Sequence, residues 1–188
     1  MEKENKKEFD FIVVKYDKDN YEYIEQIYRL YRDQQRRVFD LACNVRDEDD
    51  VANAVEFILT KPNCVTIVAV DKDNGNVAAV FVIDNIVIYT DTIIRNTCHM
   101  IVCRKYWGPT SRQLLNKMIE KLDNDFIKKI NRYEAHIPSN NFGLIKLLKD
   151  CGFKCEGTLK DKLLYLDKNN KPKLYDELIF TKKGNYNG

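Results

Sequence analysis

The chain has 188 residues, 44% hydrophobic and 32% charged, and its 31 basic and 29 acidic side chains leave a net charge of +2. That length suits one domain with a sizeable core, and so small a net charge supplies no field that would draw nucleic acid or an anionic membrane. No apolar run approaches the roughly 20 residues needed to cross a bilayer. The opening MEKENKKEFD has no apolar core of the kind a secretory signal carries, so the protein is expected to stay in the cytoplasm where it is made.

Taken in chain order, FDFIVVKY (9–16) reads as a first strand. From Asp19 the period changes: Ile24, Ile27, Tyr28 and Tyr31 fall at helical spacing, and Val38 and Leu41 continue the stripe. RDEDD suits a helix N-terminus, and Val51, Ala54, Val55 and Ile58 form the apolar face of a second helix closed by Pro62 and Asn63. CVTIVAVD and NVAAVFVID flank KDNG, whose Asn74-Gly75 pair is a strong hairpin signal. NIVIYTDTII and CHMIVCRKY extend this into a meander of three or four antiparallel strands.

A helix follows with Leu114, Leu115, Met118, Ile119 and Leu122 on one face. RYEAHIP is a strand ended by Pro138, and SNNFGLIKLLKDCGF is a helix stopped by Gly152. Strands around KLLYLD and LYDELIF are joined by KNNKPK, and the tail KKGNYNG is expected to fray. The order β-α-α-β-β-β-α-β-α-β-β contains one crossover, so the strands at Cys98 and Arg132 are expected to run parallel in an otherwise antiparallel sheet. A single mixed α/β domain with a core of about 9–182 and helices on both faces is predicted. The six cysteines (Cys43, Cys64, Cys98, Cys103, Cys151 and Cys155) show no CxxC spacing and are read as free thiols.

YWGPTSRQLL (106–115) takes a strand through a tight turn into a helix, which aims the first helical N–H groups at whatever lies above the strand end. Thr110 as N-cap with Gln113 makes a T-x-x-Q capping box, and Arg112 is placed to add a contact to phosphate. The same stretch reads equally as a well-capped helix start. The two histidines, His99 and His136, fall on neighbouring strands, and each alone is at home as a core or edge residue. No third ligand lies at useful spacing, so no metal is expected.

This stretch together with NNFGLIKLLKDCGFKCEG resembles the GNAT superfamily of acyl-CoA-dependent N-acyltransferases. VCRKYWG (102–108) is similar to the family's V-x-P-x-Y-(R/W)-G, and Asn141 lies eleven residues before Gly152-Phe153, as in its N-x10-G-F spacing. The Trp107-Gly108 pair and Glu156-Gly157 are most similar to the branch that acetylates ribosomal-protein N-termini. The resemblance implies a splayed parallel strand pair with acetyl-CoA between its arms. Backbone groups of Val102 and Arg104 would pair with the pantetheine, and N–H groups from Trp107 to Arg112, through Gly108, Thr110 and Ser111, would hold the pyrophosphate. Asn141 would contact the arm near its reactive end. His99 and Glu134 become candidate bases and Ser139 a donor into the gap, while Tyr28, Arg36 and Arg37 border the acceptor site.

The implied reaction is acetyl transfer to a primary amine on a small molecule or protein. The chain departs from the pattern at Pro109, Thr110 and Arg112, where the family's loop runs R-G-x-G-x-(G/A). Leu148 stands where a tyrosine often does. These departures carry an alternative: a GNAT-fold protein without catalysis, an oligomer or assembly component, phage-encoded and located in host cytoplasm or virion.

Overall fold

Gly75 takes a φ of +69° at the tip of the first hairpin, a conformation open to glycine, and the Asp71 carbonyl accepts its N–H at 2.8 Å. Around this turn the computed structural model builds an α/β fold; it describes residues 7–34, 47–90, 92–125, 129–167, 169 and 171–184. The strands are β1 (Phe9–Val14), β2 (Val65–Asp71), β3 (Val77–Tyr89), β4 (Thr92–Val102), β5 (Lys129–Ile130), β6 (Arg132–Pro138), β7 (Lys154–Leu166) and β8 (Pro172–Lys183). The helices are α1 (Tyr21–Asp33), α2 (Glu48–Thr60), α3 (Pro109–Asp125) and α4 (Phe142–Asp150). Cys43, Val38, Leu41, Arg36 and Arg37 lie outside the described residues.

Among the described residues the strands form two sheets, β1-β2-β3-β4-β5 and β6-β8-β7, in which only β4 and β5 pair in parallel. β3 is buried along its first seven residues because helices cover both faces. Ala79, Phe81 and Ile83 point to a core shared with Leu114, Leu115 and Met118 of α3 and Leu148 of α4. Val80 and Val82 point to the opposite core, with Ile27, Leu30 and Tyr31 of α1 and Val51, Val55 and Leu59 of α2. Each such side chain removed from water contributes roughly 1.5–3 kcal/mol, which is what holds helices with ordinary propensities in place. Asp47 caps α2 by accepting from the Asp50 N–H at 2.9 Å, and the acids Glu48, Asp49 and Asp50 occupy its first turn.

The meander of three or four strands resolves as three: the run at 85–89 belongs to β3, which passes through it on a bulge, with Asn85 at a φ of +50°, and ends at Tyr89. Against the expectation of fraying from Lys182 on, β8 continues to Lys183 and the Gly184 N–H donates to the Asn131 carbonyl at 2.9 Å. A Cβ on Gly184 would lie 2.0 Å from the Ile130 carbonyl oxygen, so this joint between the two sheets requires glycine.

The first hairpin is tied to the segment ahead of α3 through Asp71, which is fully buried. Its carboxylate accepts from Tyr106 Oη, from Lys7 Nζ at 3.1 Å and from the Asp73 N–H at 3.0 Å. Burial alone would raise its pKa, but these hydrogen bonds outweigh burial and hold it at about 2, against 3.8 ordinarily.

Two expectations for stability follow from these joints. Gly184→Ala lowers stability by about 2 kcal/mol or more, read as a drop in the urea midpoint; an unchanged midpoint would contradict the steric argument. Because the folded Asp71 holds its proton more weakly than the unfolded chain does, its contribution is present above pH 4 and is lost as pH falls from about 4 to about 2. Denaturant titrations over that window should show a steeper decline for the parent protein than for Asp71→Asn.

Candidate active site

β4 and the β5–β6 segment start as partners and then separate. Thr92 and Ile93 pair with Lys129 and Ile130, and the Asn131 N–H donates to the Ile93 carbonyl at 3.0 Å. β6 then leaves to pair with β8 over Arg132–Pro138. Asn96, 1% exposed, marks the fork: its side-chain amide donates to the Arg132 carbonyl at 2.6 Å, where the next ladder bond would be. Past this point β4 carries an edge with no strand partner among the described residues. The resulting cleft is lined by Phe81, Met100, Leu115, Ile137, Leu144, Leu148 and His99.

At its C-terminal end β4 enters a 3-10 turn, Arg104–Tyr106, and then α3. The helix begins at Pro109, two residues earlier than the T-x-x-Q pattern suggests, so Thr110 lies inside it and is not the cap. Proline at the first helical position loses an N–H that would lack a helical partner anyway. Gly108, at a φ of +88°, closes the turn, and its carbonyl accepts from the Ser111 hydroxyl at 2.7 Å and from the Ser111 N–H at 3.2 Å. The Trp107 N–H donates to the Arg104 carbonyl at 3.2 Å. The Gly108 and Thr110 N–H groups have no backbone acceptor among the described residues, and Arg112 is exposed in the same turn. Two backbone donors and one exposed cation thus meet at this corner, the kind of set a helix start can offer to an anion.

The Val102 carbonyl is engaged within the chain. It accepts from Gln34 Nε2 at 2.9 Å and from Trp107 Nε1 at 2.9 Å. Asn141 serves as N-cap of α4, accepting from the Leu144 N–H at 3.2 Å. Ser139 lies in the turn after β6, where its N–H donates to the Asp176 carbonyl at 2.8 Å.

The candidate bases lie on the face of the strands opposite the α3 and α4 core. His99 pairs across β4 with Val82, and its Nε2 is 2.9 Å from Tyr31 Oη, the ring edge-on to the tyrosine. Burial lowers the His99 pKa and outweighs the opposing pull of Asp84, so the imidazole is neutral near pH 7. On β6, His136 bridges Glu134, at 2.9 Å from its Nε2, and Glu177, at 3.2 Å from its Nδ1; Arg132 adds a 2.7 Å contact to Glu134. Burial opposes charge on both His136 and Glu134, but their mutual hydrogen bonds prevail, raising the histidine pKa and lowering that of the carboxyl. Glu134 is therefore a weak proton acceptor and a firm anion. Tyr28 is half-buried at the joint of α1 with α2, its hydroxyl 3.5 Å from the Glu48 carbonyl. The groups least visible in sequence are Tyr31, Gln34 and Glu177, whose contacts join distant elements.

No protein-family model and no curated protein sequence matches the chain. Solved structures do. The spermidine N-acetyltransferase of Vibrio cholerae, in complex with CoA and spermine, superposes with a TM-score of 0.68 at 14% identity over 92% of this chain and 95% of that one. The ribosomal-protein-S5-alanine acetyltransferase of Vibrio fischeri gives 0.67 at 16% identity over 94% and 93%. A GNAT-family acetyltransferase of Streptococcus pneumoniae gives 0.62 at 15% identity over 93% and 99%. Likeness at such identity establishes architecture, and the chain has the GNAT fold.

The two histidines should act on stability in opposite senses. The folded His99 binds a proton less readily than the unfolded chain, so its contribution is lost as pH falls below about 6.5. The folded His136 binds one more readily, so its contribution is full below about 6.5 and fades as pH rises through its higher folded pKa. Urea midpoints from pH 5 to 8 should therefore lose their acid-side decline in His99→Gln and their alkaline-side decline in His136→Gln. Parallel profiles for both variants would refute the assignment.

Proposed function

We propose that the chain is an N-acetyltransferase that uses acetyl-CoA to acetylate a primary amine. The observation that carries this reading is the fork between β4 and β6, which leaves one free strand edge above an apolar floor and beside a helix start with unclaimed N–H groups. An open edge takes an extended ligand that carries its own amides, and the corner at Gly108, Thr110 and Arg112 suits a pyrophosphate. When bound, acetyl-CoA supplies an activated acetyl group as a thioester.

The remaining work falls to this chain's side chains. His99, neutral and oriented by Tyr31, takes the proton released by the acceptor amine; this role requires the tautomer that donates Nε2–H to Tyr31 Oη, which leaves the lone pair on Nδ1. Ser139, at the end of β6, is the hydroxyl offered to the leaving thiolate, a role that buried Leu148 lacks the chemistry to fill. Glu134 and Glu177 lie on the same face as His99 and favour an acceptor that brings a second positive charge, as spermine does in the structural neighbour.

A second reading, a binding or assembly protein without turnover, is favoured by the doubly occupied Val102 carbonyl and by the side chains at Thr110 and Arg112.

Titration calorimetry decides between them. Acetyl-CoA is expected to bind the parent protein, Arg112→Glu to weaken binding by about tenfold or more, and His99→Gln to lower kcat by about 10²–10⁴-fold with spermidine while leaving acetyl-CoA affinity intact. No heat of binding at millimolar acetyl-CoA would sink the enzyme reading in favour of the second.

A further inference from the structure

We propose that Gln34 is a built-in competitor for the cofactor: its side-chain carboxamide occupies the acceptor on β4 that an amide of the pantetheine arm must take. The proposal rests on the acetyl-CoA reading above. Strand geometry supplies the acceptor. The Cys103 N–H donates to the Ala78 carbonyl on β3 at 2.8 Å, so the backbone groups of its predecessor Val102 point the other way, to the edge that β6 has abandoned. A carbonyl at such an edge is where an extended ligand would make its ladder bond.

A carbonyl oxygen has two lone pairs, and both are taken at Val102. Trp107 Nε1 holds one at 2.9 Å from within the loop itself, and Gln34 Nε2 holds the other at 2.9 Å from the far side of the sheet. Gln34 is only 9% exposed, so its contact is shielded from water. Its primary carboxamide is the same kind of donor as the secondary amides of pantetheine, and replacing one by the other conserves the hydrogen bond.

Withdrawal of Gln34 does not require α1 to leave. Tyr31, one helical turn earlier, holds β4 through His99 at 2.9 Å, and Leu30 and Ile27 remain in the core. The exchange is thus a side-chain movement at the C-terminal cap of α1, and it places a cofactor-sensitive group on the helix that orients the proposed base.

The test uses CoA itself and the full chain. Gln34→Met keeps the length and burial of the side chain but removes the donor, and is expected to bind CoA about tenfold more tightly than the parent. In the parent protein, the Gln34 side-chain amide protons should exchange slowly with water when free and rapidly when CoA is saturating, read by NMR. Equal or weaker binding by a folded Gln34→Met, or unchanged exchange in the parent, would overturn the competitor role alone. Absence of CoA binding by parent and variant alike would overturn it together with the acetyl-CoA reading.

Discussion

The separation of β4 from β6 is the constraint on which the rest of the structure depends. A strand has two edges, and β6 spends one on β8 in seven consecutive pairs from Arg132 to Pro138. Its chain neighbours Lys129 and Ile130 spend theirs on β4, so the direction must change at Asn131. Two joints hold that change: Asn96, whose amide replaces the missing ladder bond, and Gly184, whose lack of a Cβ lets β8 approach the Ile130 carbonyl. Given the fork, the apolar floor follows, because Met100 of β4 and Ala135 and Ile137 of β6 still face the α3 and α4 core. Alternation along the same strands then sends His99, Glu134 and His136 to the opposite face.

The corner beyond β4 is held by contacts that have little to do with the glycine content of its loop. Tyr106 is anchored to Asp71 across the sheet, Trp107 to Val102 behind it, and Ser111 to Gly108 in front. Proline at the first helical position then costs nothing in hydrogen bonding, because the donor it lacks had no acceptor within the helix. A loop with one glycine can thus hold the tight turn from β4 into α3. Side chains at Thr110 and Arg112 narrow the space above it, and the single positive φ falls at Gly108, where the turn needs it.

Much of the fold was legible because it rests on local physics. The Asn74-Gly75 turn, the apolar stripe of α3, the acidic start of α2 and the Gly152 stop of α4 are set by neighbours in the chain. The errors arose where distant contacts decide. The meander reads as three or four strands, and the bulge at Asn85 that carries β3 through NIVIY is what makes it three. The T-x-x-Q pattern is a genuine capping signal, but Pro109 fits the first helical position and shifts the start by two residues. Candidate site residues on β4 and β6 could be placed by alternation, so His99, Glu134 and His136 were within reach. Gln34 and Tyr31 were not: each contacts a partner 68 residues away, and no spacing rule encodes that meeting.

Those two long-range contacts set competing demands on α1. The helix must lie against β4 for Tyr31 to orient His99 and for the pair to exclude water that would hold the imidazole charged. Lying there, it also delivers Gln34 to the carbonyl at the edge of the fork. The two residues are one helical turn apart, so the backbone cannot satisfy one demand and avoid the other. Only rotation about the side-chain bonds of Gln34 can, which is why the adjustable element is a long flexible amide while the fixed one is a buried aromatic ring. On the acetyl-CoA reading, the arrangement would link occupancy of the groove beside β4 to the helix on the opposite face, through a hydrogen bond that exchanges partners and leaves both cores undisturbed.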